Sequence, residues 1–163
     1  MTCKLILMRH AKSDWSNTLS DYKRPLNNRG KKSSIAIGHW LREKNICPDQ
    51  AFISAAQRTR ETWNLLGFQE TDTSFLETLY HANLSALFNA LKSASGKTVL
   101  ILGHNPGIGQ FAQILAKNLP NHPRFLDYPT CATWVATIDL TRWSDISTNA
   151  AETLYFQIPR EII

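Results

Sequence analysis

Two short apolar runs in this chain each end at a histidine. Leu5-Ile6-Leu7-Met8 runs into Arg9-His10, and Thr98-Val99-Leu100-Ile101-Leu102-Gly103 runs into His104. Brief, continuous runs of Val, Ile and Leu read as strands buried on both faces, as in a parallel sheet covered by helices. Open parallel sheets gather their ligands at the carboxyl ends of the strands. Arg9, His10 and His104 are therefore expected in one pocket.

The segments between the runs fit that architecture. Asn27-Asn28-Arg29-Gly30 opens a stretch in which Ile37, Trp40 and Leu41 recur at helical spacing, ending before Pro48. Ala51-Phe52-Ile53 reads as a second strand with Ser54 at its end, and Arg58 to Leu66 as an amphipathic helix stopped by Gly67. Leu84, Leu87, Phe88 and Leu91 form another helical stripe, with Asn83 as its cap. A further helix is expected from about Ile108 to Lys117, a loop from Pro120 to Pro129, and β-rich runs at Cys131–Ile138 and Glu152–Gln157. The last two are expected to pair antiparallel around the polar Trp143 to Asn149 segment. Alternating strands and helices imply a three-layer α/β/α fold around a mostly parallel sheet.

Composition narrows the function classes. At 163 residues and 43% hydrophobic, the chain suits one core, so residues 1–163 are expected to form a single domain. Arg9 and His10 interrupt the N-terminal apolar run, and no other run approaches membrane-spanning length. Neither a membrane span nor a signal peptide is expected, which points to the cytoplasm. Cys3, Cys47 and Cys131 lie far apart and are odd in number, so they read as reduced thiols rather than disulfide or metal-site cysteines. The formal charge of +5 is scattered, with no basic tract denser than Arg29-Gly30-Lys31-Lys32. That distribution argues against a nucleic-acid partner and for a mildly basic surface around an anion-binding pocket.

The residue types at the strand ends suggest the chemistry. A neutral imidazole is a nucleophile, and the planar guanidinium beside it is a fixed donor for phosphate oxygens. Arg9-His10 thus suggests phosphoryl transfer through a covalent phosphohistidine. Gly103-His104-Asn105-Pro106-Gly107, a strand followed by a small-residue turn into a helix, is both a turn and an anion cradle. Arg58 lies nearest the second strand end, where its fork is in reach of the same pocket, whereas Arg60 reads as part of a solvated helix face. Ser16 and Asn105 are candidate hydrogen-bond donors to phosphate, and both types also serve local turns and caps.

In order along the chain stand Arg9-His10-Ala11, Lys12-Ser13-Asp14-Trp15-Ser16, Arg24-Pro25-Leu26, Arg29-Gly30, Ser54-Ala55-Ala56-Gln57-Arg58-Thr59-Arg60-Glu61-Thr62, Leu79-Tyr80-His81-Ala82, and Gly103-His104-Asn105-Pro106-Gly107. This series resembles the histidine phosphatase superfamily, and within it the SixA-type phosphohistidine phosphatases. Ala11 after Arg9-His10 matches that branch rather than the mutases. The resemblance implies a compact fold without a large cap. It also implies that His10 is phosphorylated while Arg9, Arg58 and His104 form the phosphate pocket, without metal or other cofactor. His10 must be neutral to attack, and His104 is more useful protonated, so burial and the phosphate charge are expected to place the two rings in opposite states when phosphate is bound.

The expected substrate is a phosphohistidine-bearing protein. Its imidazole leaving group is protonatable near neutral pH, whereas an alkyl ester benefits from a positioned acid. Glu77 is the nearest carboxylate to the Leu79–Ala82 segment, with His81 a second candidate donor. A phosphatase of small phosphomonoesters and a non-catalytic phosphate-binding or interaction module are the rival readings. Mutase activity is disfavoured because no insertion suits a lid. The five tryptophans, Trp15 among them, are expected in the core or at its rim.

Overall fold

Leu5, Ile6, Leu7 and Met8 have no exposed surface, and neither do Leu100, Ile101 and Leu102. Burying one such side chain is worth roughly 1.5–3 kcal/mol. Both runs therefore have to lie inside a sheet with helices on each side. The computed structural model, which describes residues 2–163, shows that arrangement. In chain order the elements are β1 (Thr2–Arg9), α1 (Asn28–Glu43), β2 (Gln50–Ser54), α2 (Gln57–Leu66), β3 (Asp72–Leu76) and α3 (Leu84–Lys92), then β4 (Thr98–Gly103), α4 (Gly107–Leu115), β5 (Thr133–Asp139) and β6 (Ala151–Gln157).

The strands form one sheet in the order β3-β2-β4-β1-β5-β6. The pairs β2–β3, β2–β4 and β1–β4 are parallel, and β1–β5 and β5–β6 are antiparallel, so only β5 runs against the rest. Alternation along the strands divides the core in two. Leu5, Leu7, Phe52, Val99, Ile101 and Trp134 pack under α3 and α4, while Ile6, Met8, Ile53, Leu100, Leu102 and Val135 pack under α1 and α2. The fold is thus a three-layer α/β/α sandwich around a mostly parallel sheet, as expected.

Local chemistry sets the helix starts. Asn27 and Asn83 each accept a hydrogen bond from the backbone three residues on, Gly30 N–H and Ala86 N–H, and so cap α1 and α3. Two glycines let these parts approach the future site closely. A Cβ on Gly30 would stand 2.1 Å from the Lys12 carbonyl oxygen, and one on Gly107 would stand 2.2 Å from that of Ala82. No larger residue permits α1 to press on the segment after His10, or α4 to press on the segment after His81.

Three departures from the sequence reading have simple causes. Strand β3 was not anticipated, because an edge strand of sequence Asp-Thr-Ser-Phe-Leu is half-exposed and needs no continuous apolar run. Helix α4 ends at Leu115 rather than Lys117, since Ala116 turns extended to bridge Ala151. Strand β5 begins at Thr133 rather than Cys131, whose φ of 64° is incompatible with a strand. Among the described residues, no helix is long and apolar enough to cross a membrane.

Candidate active site

Adjacent strands β2, β4 and β1 end side by side, which brings Ser54, His104 and Arg9-His10 together at the carboxyl ends of the parallel strands. Arg9 stands opposite Gly103 in the β1–β4 register, and the His10 amide donates to the Gly103 carbonyl at 3.0 Å. The His10 and His104 ring centroids are 5.2 Å apart. Arg58, delivered by the first turn of α2, is only 2% exposed and reaches both rings. Its Nε donates to His10 Nε2 at 3.3 Å, and a terminal nitrogen donates to His104 Nδ1 at 3.4 Å.

These contacts fix the tautomers. His10 Nδ1 lies 2.7 Å from the Ala11 carbonyl oxygen, which can only accept, so Nδ1 carries the proton. The lone pair is then on Nε2, facing Arg58 and the pocket. His104 accepts at Nδ1 and therefore donates from Nε2 to Ser54 Oγ, at 2.7 Å. Burial pushes the His10 imidazole down to about 3, with Arg58, Arg9 and Arg24 adding to the effect and the Ala11 carbonyl opposing it. Burial likewise takes His104 down to about 2, helped by its neighbours His10 and Arg58. Both rings are neutral in the protein without phosphate; the expected division between a neutral His10 and a protonated His104 refers to the phosphate-bound state.

Those depressed values make a stability prediction. Between the unfolded value near ~6.5 and the folded values, the unfolded chain binds protons that the folded chain does not. The stabilisation is complete above that unfolded value and is lost as pH falls below it, with each ring contributing a slope approaching about 1.4 kcal/mol per pH unit. Chemical denaturation from pH 7 to pH 4 should therefore show stability falling on acidification. His10→Asn should remove about one proton's worth of that slope, and an unchanged slope would contradict the assignment of a neutral, buried His10.

The carboxylate at the mouth is Asp21, in the short turn Asp21–Lys23. It accepts from Arg24 at 2.5 Å, from Arg58 at 3.1 Å, from His81 Nε2 at 3.0 Å and from the Tyr80 hydroxyl, while its main-chain carbonyl accepts from Arg58 at 2.6 Å. Burial alone would raise its carboxyl. The hydrogen bonds from Tyr80, Arg24, His81 and Arg58 prevail and hold it well below the ordinary carboxylate range. Arg24 also donates to Ser13 Oγ and stacks its guanidinium 3.7 Å over the Trp15 ring. The cavity so enclosed measures about 200 Å³ and is lined by Arg9, His10, Arg24, Arg58, His81 and His104, among others.

Comparison with known proteins agrees with this geometry. The sequence model of the histidine phosphatase superfamily, branch 1, matches residues 5–84. Its match begins in β1 and takes in His10 and Arg58. A SixA-type structure from Nakamurella multipartitia is 25% identical and superposes with a TM-score of 0.86 over 98% of this chain and 97% of that one. In sequence and in fold the chain is similar to the histidine phosphatase superfamily. The protein histidine phosphatase SixA bound to tungstate shares the fold, with a TM-score of 0.77 at 19% identity and coverage of 98% and 99%. An uncharacterized Mycobacterium tuberculosis protein is 28% identical over 160 residues, which are 94% of this chain and all of that one. A 2,3-bisphosphoglycerate-dependent phosphoglycerate mutase from Bifidobacterium longum is 37% identical over 68 residues, but these are 40% of this chain and 28% of the mutase.

Within this fold, the sequence-predicted residues separate into two groups. Arg9, His10, Arg58 and His104 converge on the cavity. Ser16 does not: its hydroxyl and amide both bind the Asp14 carboxylate, at 2.6 and 2.8 Å, in an exposed turn. Ser13, three residues nearer to His10, is the serine that lines the cavity. Asn105 lines it too, but its side chain is fully spent on the Asp127 and Tyr128 carbonyls and the Gly109 amide, so it holds the β4–α4 turn instead of offering a donor. Glu77 is exposed, accepts from the Tyr22 hydroxyl at 2.5 Å and lies outside the cavity. Arg60 is not a free solvated side chain either, because its Nε donates to the Ala55 carbonyl at 2.8 Å. Trp15 is 74% exposed, on the cavity rim rather than in the core.

Asp21 was the functional neighbour missed by the sequence reading. A carboxylate is not expected inside an anion pocket, and its spacing of three from Arg24 was the one local signal.

Proposed function

We propose that this protein is a phosphatase that removes the phosphoryl group from protein phosphohistidine through a phospho-His10 intermediate. The observation that carries the substrate class is the absence of a protonated carboxylic acid at the pocket among the described residues. Asp21 is held ionised by its four partners, and Glu77 points elsewhere. A leaving group that needs no carboxylic acid fits such a site, where His81 is the remaining candidate donor. Phosphohistidine, protonated on its distal ring nitrogen, departs as neutral imidazole.

The geometry supports a balanced sequence of two transfers. His10 Nε2 donates its lone pair to phosphorus as the substrate P–N bond breaks, and the electron pair of that bond returns to the departing imidazole. Phospho-His10 keeps its Nδ1 proton on the Ala11 carbonyl, so its ring is cationic and ready to leave in turn. Water then attacks phosphorus and releases inorganic phosphate, with one water proton passing to solvent. The guanidiniums of Arg9 and Arg58 and the ring of His104 face the three equatorial oxygens, where the charge of the transition state resides. Approach of the phosphoryl dianion raises the proton affinity of His104 from its low resting value, which gives the site an electrostatic response to substrate. A cytoplasmic setting fits the three unpaired cysteines.

The deciding experiment compares phosphate release from a phosphohistidine-bearing protein with release from a panel of small phosphomonoesters. Turnover confined to the phosphoprotein supports the reading. Much faster turnover of small esters replaces it with the phosphomonoesterase reading, and binding of phosphate without any turnover replaces it with a binding module.

Asp21 supplies a separate prediction. Its carboxylate competes with phosphate for Arg24 and Arg58 and repels the incoming dianion at close range, an interaction of about 1 kcal/mol or more near a protein surface. Asp21→Asn should therefore lower the inhibition constant for inorganic phosphate about fivefold or more. A weakened phosphate affinity would show instead that Asp21 matters chiefly for aligning the two arginines.

A further inference from the structure

Beside the catalytic pocket lies a wider cleft of about 710 Å³, and the two share Arg9, Lys12 and Thr130. Beyond the shared wall, the cleft is bordered by Arg29 and Lys32 of α1 and by Arg160 of the C-terminal turn. Arg29 and Lys32 are three residues apart and so lie on one face of the helix. Lys12, Arg29, Lys32 and Arg160 are all exposed, and among the described residues none stands within ion-pair distance of a carboxylate side chain. The one acidic side chain of the cleft, Asp127, is held by Arg124 at 2.9 Å. Arg9 on the dividing wall has a buried Nε with no hydrogen-bond partner, its terminal nitrogen being committed to the Tyr128 carbonyl at 3.2 Å. The cleft therefore carries a surplus of positive charge.

We infer that this cleft is a docking subsite for an acidic polypeptide segment next to the phosphorylated histidine of the substrate protein. The inference rests on the phosphohistidine reading above and extends it to the surroundings of the scissile group. Chemistry favours several carboxylates over one further phosphate. A phosphate is best held by donors converging on a point, as the guanidiniums of Arg9 and Arg58 do at the pocket. Here the cations stand on three parts of the chain around a broad opening, Lys12 after β1, Arg29 and Lys32 on α1 and Arg160 on the last turn, on long exposed side chains. That distribution suits acidic side chains spaced along a chain, and it steers a negatively charged partner toward the pocket before contact.

The test uses two synthetic phosphohistidine peptides that differ only in their flanks, Glu and Asp in one and Gln and Asn in the other. The proteins are wild type and the triple variant Arg29→Ser, Lys32→Ser, Arg160→Ser. Wild type is expected to prefer the acidic peptide about tenfold in kcat/KM at low salt, with the gap closing as ionic strength rises. The triple variant should treat the peptides alike while matching wild type on small phosphoramidate and in thermal midpoint. No preference in wild type, or a preference that survives in the variant, overturns the inference. So does a variant defect confined to small bisphosphates, which would make the cleft a second phosphate site. If neither peptide is hydrolysed, the phosphohistidine reading falls by itself. Fluorescence anisotropy of the unphosphorylated acidic peptide then decides the cleft: several-fold tighter binding to wild type than to the variant supports it, and equal binding overturns it.

Discussion

Replacing His10 with Asn is expected to abolish turnover, with kcat falling roughly 10⁴- to 10⁶-fold, the scale on which removing a covalent nucleophile acts elsewhere. Asn is the informative substitution because its amide can still donate to the Ala11 carbonyl, as Nδ1 of the imidazole does at 2.7 Å. What it lacks is a lone pair in the position of Nε2. Arg9, Arg58 and His104 remain, so affinity for inorganic phosphate should change by no more than a few fold. Phosphoryl trapping supplies the second readout. Wild type quenched in alkali during turnover should carry an acid-labile phosphoryl group on the peptide containing His10, and the variant should carry none. A variant within tenfold of wild type, or label on another residue, would show that water attacks the substrate directly or that a different group is the nucleophile.

The parts of this site that were legible from the sequence are those attached to strand ends. Arg9, His10 and His104 follow buried runs whose apolar character fixes both the strand and its direction, so their common location followed from sheet geometry. Arg58 was legible because the chain turns from β2 into α2 within a few residues, leaving little freedom in where its first turn points. Ser16 and Ser13 show where that logic ends. Both follow His10 by several residues, and which one faces the cavity depends on Asp14 capturing Ser16 in a local turn. Glu77 and Asp21 show the same limit for carboxylates. Their places are decided by partners far along the chain, Tyr22 for one, and Tyr80, His81 and Arg58 for the other. Strand β3 was illegible because its stability comes from pairing with β2, not from an apolar pattern of its own. The resting protonation of His104 was not legible because it depends on the cost of burying a cation beside Arg58 and His10, neighbours that only the fold supplies.

Arg58 is the residue on which these contacts converge, and its replacement should have the second-largest effect. It touches His10, His104 and both the carboxylate and the carbonyl of Asp21, at distances from 2.6 to 3.4 Å. A lysine at the same position supplies the charge but not the planar fork, and one ammonium cannot meet four partners set on different sides. Arg58→Lys is therefore expected to lower kcat/KM by about 10²- to 10³-fold, equivalent to roughly 2.7–4 kcal/mol of lost transition-state stabilisation. Arg58→Ala should lose more, and added guanidinium should recover part of that loss by occupying the vacated space. The two variants separate charge from shape. If Arg58→Lys retains activity within a few fold of wild type, positive charge alone suffices and the fork is not what the reaction uses. If Arg58→Ala is inactive, unrescued and strongly destabilised, the side chain acts by supporting the His10–His104 pair and not by binding phosphoryl oxygens. Rescue of activity without recovery of thermal stability would place the guanidinium in the chemistry, because only a group on the reacting phosphate can restore rate while leaving the fold weakened.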